Sequence, residues 1–255
     1  MSETAKNETL GTSYVPISMP GTSRADRNVP AASSAHCTAH AVLGAGSGHH
    51  VQAESWLELS ALYVLNAMQN VASIQEQVRF FYGYDPKKLS QHVFDVVATL
   101  TDGTKIGFTV KPEVRLVSGR FLTEMQEVAW WAVEKAFVDE VRLVTERDID
   151  KVDLRNAQTL AAVREADPEA DALALSLISG LPEGVGQTLR RLTIDMGMQA
   201  RGYRALIRLI REGMLCPIKR GLIGPELTVA QTEKPFRQMV DTDDSPTVTP
   251  EMIAA

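Results

Sequence analysis

The chain has 255 residues, 44% of them hydrophobic and 23% charged, with a net charge of −6. These proportions fit an ordinary globular protein of one large or two small domains, and the acidic balance confines any nucleic-acid contact to a local basic patch. The two cysteines, Cys37 and Cys216, exclude a disulfide framework, and no apolar run approaches the ~18 residues of a membrane span.

The N-terminal "MSETAKNE" is polar, unlike a signal peptide, so a cytoplasmic protein without a membrane partner is expected. Residues 1–50 are rich in Ser, Thr, Ala, Gly and Pro and show no helical or strand period. Residues 1–47 are therefore expected to form a disordered arm, with order beginning near Val51. His36, Cys37, His40, His49 and His50 gather there, but at spacings that match no standard zinc pattern. "GAGSGHH" is glycine-rich but follows no strand, which argues against a phosphate loop.

The first folded block is expected over residues 48–150. "ESWLELSALYVLNAM", residues 54–68, places Leu57, Ala61, Val64, Leu65 and Met68 at helical spacing. Glu54 and Glu58 stand four apart and border that stripe. "SIQEQVRFFYGY", residues 73–84, reads as a strand. "HVFDVVATL" and "KIGFTVKP" are two further apolar runs joined by the Asp-Gly turn "TDGT", the usual sign of a β-hairpin. Pro112 ends the second run. "GRFLTEMQEVAWWAVEKAF" is a long amphipathic helix in which at most one of the adjacent Trp130 and Trp131 faces the core, and "DEVRLVTE" is a closing strand. Helix, three-stranded meander, helix and strand together predict an α/β core with a mixed sheet.

Two charges interrupt the hairpin. Ideal alternation puts Asp95 on one face with Val93 and Val97, and puts Thr109 with Lys111 opposite Ile106, Phe108 and Val110. An acid, a hydroxyl and an amine then converge on one side of the sheet, where the preceding helix can add Glu58. Phosphodiester cleavage uses such a group. Carboxylates hold a hard cation by oxygen, the cation acidifies a bound water, and a lysine stabilises the developing anion. The same residues also suit a plain charge pair at a sheet end and a solvated helix edge.

The order "ESWLE", "SIQEQV", "FDVVATLTDGTKIGFTVKP" resembles the TnsA-type endonuclease subunit of heteromeric transposases, over roughly residues 48–112. The resemblance implies a restriction-endonuclease-like fold and DNA cleavage with Mg²⁺ or Mn²⁺. It implies Glu58 and Asp95 as metal ligands and Lys111 as the catalytic lysine. Thr109 occupies the metal-ligand place usually held by Glu or Gln, and Phe94 stands where that family usually has Pro. The implied partners are double-stranded DNA at transposon ends, a transposase subunit and a regulatory ATPase.

The composition shifts again at "TERDIDKVDLRNAQ", residues 145–158, where the junction to a second block over 151–232 is expected. Four helical stretches follow, and the last, "ARGYRALIRLIREGML", turns Leu206, Ile207, Ile210 and Leu215 to a core. "CPIKRGLIGPELTV" reads as a closing hairpin, so the block suits a winged helix. From residue 201 to 220, Arg201, Arg204, Arg208, Arg211, Lys219 and Arg220 face only Glu212, a local charge of +5 in an acidic chain. These are the candidate DNA contacts, which would bind phosphates in a salt-dependent way; a solvated helix face or a protein contact is the alternative. Residues 233–255 are expected to form a flexible tail. Two function classes result: a metal-dependent DNA endonuclease, or a non-catalytic DNA-binding or adaptor protein that keeps the nuclease fold.

Overall fold

The computed structural model describes residues 19–29, 37–182 and 184–232. Two short strands, β1 (Ala39–Leu43) and β2 (His49–Ala53), pair as an antiparallel hairpin. Ser55 then accepts the Glu58 N–H and opens helix α1 (Trp56–Ala67). The meander follows as β3 (Val71–Tyr82), β4 (Ser90–Leu100) and β5 (Lys105–Val110). The turn between β4 and β5 is the expected Asp-Gly turn: Gly103 sits at φ +91 and Asp102 Oδ1 accepts the Thr104 N–H at 2.9 Å. Glycine reaches that backbone region without steric cost. Helix α2 (Arg120–Glu134) crosses back, and β6 (Glu140–Val144) pairs parallel to β5. The sheet is mixed, in the order β3-β4-β5-β6.

Helices cover both faces. Leu59, Leu62 and Leu65 of α1 pack on Val96, Ala98, Ile106 and Phe108. On the other side, Met125, Val128, Trp131 and Ala132 of α2 pack with Val78, Phe80 and Phe94. Trp131 is in that core while Trp130 is exposed, as adjacency on a helix requires. Gly107 lets the Phe94 ring lie against β5, since a Cβ there would stand 2.9 Å from the ring.

After β6 come α3 (Lys151–Ala162), α4 (Pro168–Ser179), a two-residue strand β7 (Gln187–Thr188), α5 (Leu189–Met196) and α6 (Gln199–Arg211). Strands β8 (Leu215–Pro217) and β9 (Thr228–Gln231) pair antiparallel, and β7 joins them in a three-stranded sheet of order β7-β9-β8. Leu206, Ile207, Ile210 and Leu215 are all buried in this second core. Helix α3 serves both cores, giving Ala161 to the first and Leu160 to the second, where its C-cap Val163 joins it. Arg211 Nη2 donates to the Gly44 carbonyl at 2.6 Å across the same junction. Among the described residues, no helix is long and apolar enough to cross a membrane.

The expectation of an unstructured arm through residue 47 is corrected where the structure describes it. Residues 39–43 form β1, and residues 19–29 lie along β3 under hydrogen bonds discussed below. The contacts of residues 19–29 are polar and main-chain, so they leave no apolar period in the sequence, while β1 sets only Ala39, Ala41 and Leu43 against the first core, a period too short to stand out. Residues 1–18 and 30–36, including His36, lie outside the described residues, as does the expected tail 233–255.

Candidate functional site

The sheet forks at Asp95. Pairing between β4 and β5 runs from Thr99↔Lys105 to Val96↔Phe108 and goes no further. Beyond it β4 stays with β3 as far as Ser90↔Tyr82, while β5 stays with β6 through Val110↔Val144. Asp95 Oδ2 fills the next rung, accepting the Val110 N–H at 2.7 Å. Opposite Asp95 on β3, Gln77 adopts φ +53, a left-handed conformation uncommon for a residue with a Cβ. Its carbonyl accepts the Asp26 N–H instead of serving the ladder.

This irregularity corrects the expected facing. Phe94 and Val97 pack together on the α2 side, whereas Val96 and Ala98 face α1. Strict alternation cannot place residues 94 and 97 on one face; the displaced rung at 77 and 95 does. Asp95 therefore does not share a face with Val97, and its carboxylate is buried in the fork within the electrostatic reach of Glu58 on α1.

Glu58 comes from the first turn of α1. Ser55 and Glu58 form a reciprocal cap: Ser55 Oγ accepts the Glu58 N–H and donates to Glu58 Oε1 at 3.0 Å. Glu58 Oε2 accepts the Glu54 N–H at 2.8 Å and the Gln77 side-chain N–H at 3.4 Å. Despite these donors the carboxyl is pushed up to about 7, first by burial and then by the charge of Asp95. Asp95 is also raised, chiefly by burial, against the opposing pull of Lys111 and the Val110 N–H. Two buried acids, one raising the other, lack a full counter-charge, and their oxygens suit a hard divalent cation. Within the described residues no third His, Cys, Asp or Glu joins them.

Lys111 leaves β5 at the fork, where its N–H donates to the Val144 carbonyl at 2.9 Å. Its charge acts on Glu58, Asp95 and His92, and its Nζ stands 6.0 Å from the Phe121 ring centroid on α2. Thr109 is buried, with Oγ1 at 3.1 Å from His92 Nε2. Burial first, and then Lys111, depresses His92 to about 4. The ring is thus neutral near pH 7. The expected trio is split: Asp95 and Lys111 meet Glu58 at the fork, while the Thr109 hydroxyl is committed to His92. Glu54 is no solvated helix edge, since its carboxylate pairs with Arg27 at 2.7 Å.

Sequence reasoning assigned no role to Arg27 or His92 and took Gln77 only as part of a family pattern. The Ser55-x-x-Glu58 spacing is a capping signal that foretells the position of the Glu58 carboxylate. His92 carries no comparable signal.

The basic stretch behaves differently. Arg208 is buried on Asp171, with Nε to Oδ1 at 2.7 Å. Arg211 is spent on the carbonyls of Gly44 and Leu160. Arg201 pairs with Asp167 and Glu169, and Arg220 with Asp150 and Asp153. Arg208 and Arg211 are thereby corrected from phosphate contacts to internal ones, because acids and carbonyls distant in sequence meet them. Arg204 and Lys219 are exposed.

No protein-family model matches the chain, and the search of curated proteins finds no match.

Proposed function

We propose that this chain is a divalent-metal-dependent DNA endonuclease whose site is Glu58, Asp95 and Lys111, and that it serves as the DNA-cleaving subunit of a heteromeric transposase. The observation that carries this reading is the pair of buried carboxylates at the sheet fork, both raised by burial and Glu58 further by the charge of Asp95, with the charge of Lys111 acting on both. Mg²⁺ or Mn²⁺ held by Glu58 and Asp95 would supply an acidified water and offset charge at a phosphodiester.

The chain's own groups set up the rest. The Val110 N–H fixes Asp95 Oδ2, which leaves Oδ1 as the presented oxygen. Ser55, Glu54 and Gln77 hold both oxygens of Glu58 in one orientation. The Lys111 ammonium, whose charge acts on Glu58 and Asp95, would stabilise the anion that develops at a phosphate and orient the attacking water. Neutral His92 braces Thr109 and carries no positive charge at neutral pH. Transposon-end DNA, a transposase subunit and a regulatory ATPase are the partners in this reading, with Arg204 and Lys219 as the exposed phosphate contacts of the second block.

The test is nicking of supercoiled plasmid in Mg²⁺ or Mn²⁺, with and without the transposase partner. Wild type nicks, while Asp95→Ala and Lys111→Ala fall to background with the fold intact. Identical behaviour of all three under both metals, with the partner present, overturns the enzymatic reading.

A second reading, a non-catalytic DNA-binding or adaptor protein, draws on one observation: residue 109 is a threonine whose hydroxyl is engaged by His92, so two carboxylates stand without a third. It predicts no nicking by wild type in either metal, with the partner present or absent.

A further inference from the structure

Between Glu8 and Glu54 the only Asp, Glu, Lys or Arg residues are Arg24, Asp26 and Arg27. All three lie in the segment 19–29, which forms a strap along β3, the outer strand of the sheet. Gly21 anchors one end: its N–H donates to the Gly48 carbonyl and its carbonyl accepts the His50 N–H, both at 2.8 Å. Asp26 grips β3 twice. Its carboxylate accepts the Arg79 N–H at 2.8 Å, and its own N–H donates to the Gln77 carbonyl at 3.3 Å. Buried Gln52 holds the far end by accepting the Val29 N–H at 3.1 Å. Covering an exposed edge strand explains these contacts.

It does not explain Arg27. Arg27 Nε and Nη2 both donate to Gln77 Oε1, at 3.0 and 2.7 Å, and Nη2 pairs with Glu54 at 2.7 Å. The Gln77 side chain is 1% exposed. A glutamine amide has one acceptor oxygen and one donor nitrogen. With the oxygen taken by two guanidinium N–H groups, the nitrogen must point the opposite way. There it donates to Glu58 Oε2 at 3.4 Å. Without the guanidinium the amide is free to turn over, and its oxygen would then face the Glu58 carboxylate.

We propose that Arg27 is a positioning residue of the site, acting through Gln77: the strap's guanidinium sets the amide, and the amide holds Glu58 Oε2 in the fork beside Asp95. The role in metal binding rests on the reading of Glu58 and Asp95 as cation ligands. Groups behind a ligand that fix its orientation are typically worth about 10–100-fold in metal affinity. The strap joins the site through one side chain, so residues 19–29 belong to the functional unit and not to a dispensable arm.

The experiment follows the full-length chain by two readouts. The first is the Gln77 side-chain amide signal by NMR without metal; the second is Mn²⁺ affinity by calorimetry. In wild type the two Gln77 amide protons are distinct and exchange slowly. In Arg27→Ala they become exchange-broadened, and Mn²⁺ binds about tenfold more weakly. Arg27→Lys keeps the charge beside Glu54 but cannot donate twice to one oxygen, so it resembles Arg27→Ala. In a Gln77→Met background, Arg27→Ala has no further effect on Mn²⁺ affinity.

Full rescue by Arg27→Lys would mean that charge alone matters, and it overturns the relay. So does an unchanged amide signal in Arg27→Ala, or a freed amide with unchanged Mn²⁺ affinity. If Arg27→Ala loses cooperative unfolding, Arg27→Lys and the single variant Gln77→Met decide instead, each binding Mn²⁺ about tenfold more weakly if the relay holds. If wild type binds no Mn²⁺ while Arg27→Ala still frees the amide, the endonuclease reading fails and the hydrogen-bond relay alone stands.

Discussion

The sheet fork and helix α6 both gather charges that look misplaced in an apolar pattern, yet the fold treats them in opposite ways. On α6, Arg208 meets Asp171 at 2.7 Å and Arg201 meets Asp167 at 2.8 Å, so the second block neutralises much of its own basic stretch. At the fork, two acids share a buried site, burial raises both and Asp95 raises Glu58 further, while Lys111 is the cation acting on both. A charge whose partner arrives from elsewhere in the same fold is structural. A charge buried beside its like is costly without a further counter-ion, and that cost points outward, to a ligand.

The comparison breaks most visibly at Arg208. Arg208→Ala leaves Asp171 without its buried partner, and should cost about 3–5 kcal/mol of stability by denaturant titration. A loss below ~1 kcal/mol, together with weaker DNA binding, would return Arg208 to the phosphate contacts.

The next effect is a pH dependence. Folded Glu58 holds its proton up to about 7 against an ordinary 4.5, so the folded state binds that proton more tightly than the unfolded chain. The stability it contributes is present below about pH 4.5 and is lost as pH rises to about 7, by roughly 3 kcal/mol in the metal-free protein. Glu58→Gln should flatten that slope, and Mn²⁺ should restore wild-type stability at pH 7.5. A metal-free wild type equally stable at pH 5 and pH 7.5 would remove the tension assigned to the fork.

The smallest effect belongs to the two exposed cations of the second block. Arg204→Ala and Lys219→Ala should leave the melting temperature unchanged and each reduce the salt slope of DNA binding by about one unit. Unchanged slopes with DNA still bound would locate the interface elsewhere.

Elements with an apolar period or a local turn signal were legible in the sequence. The stripe through Ala61 and Leu65, the Asp102-Gly103 turn and the buried face of α6 needed only spacing. Asp95 and Lys111 were legible as anomalies, since a charge inside an apolar strand has few innocent explanations. Their true arrangement was not, because alternation assumes a regular ladder and Gln77 leaves it at φ +53. The strap was invisible for a related reason. Ser23, Asp26, Arg27 and Asn28 bind through polar and main-chain atoms, and such contacts have no period. The partners of Arg208 and Arg220 lie tens of residues away, so counting charges within the basic stretch overstated the free charge.

The central claim is that Glu58 and Asp95 together hold a divalent cation. Crystals of the full chain soaked in Mn²⁺ at pH 7.5 test it by anomalous scattering. The account predicts a peak about 2.1 Å from Glu58 and Asp95 oxygens, absent in Asp95→Asn. A fork without a peak at millimolar Mn²⁺, or a peak that survives Asp95→Asn, would contradict it.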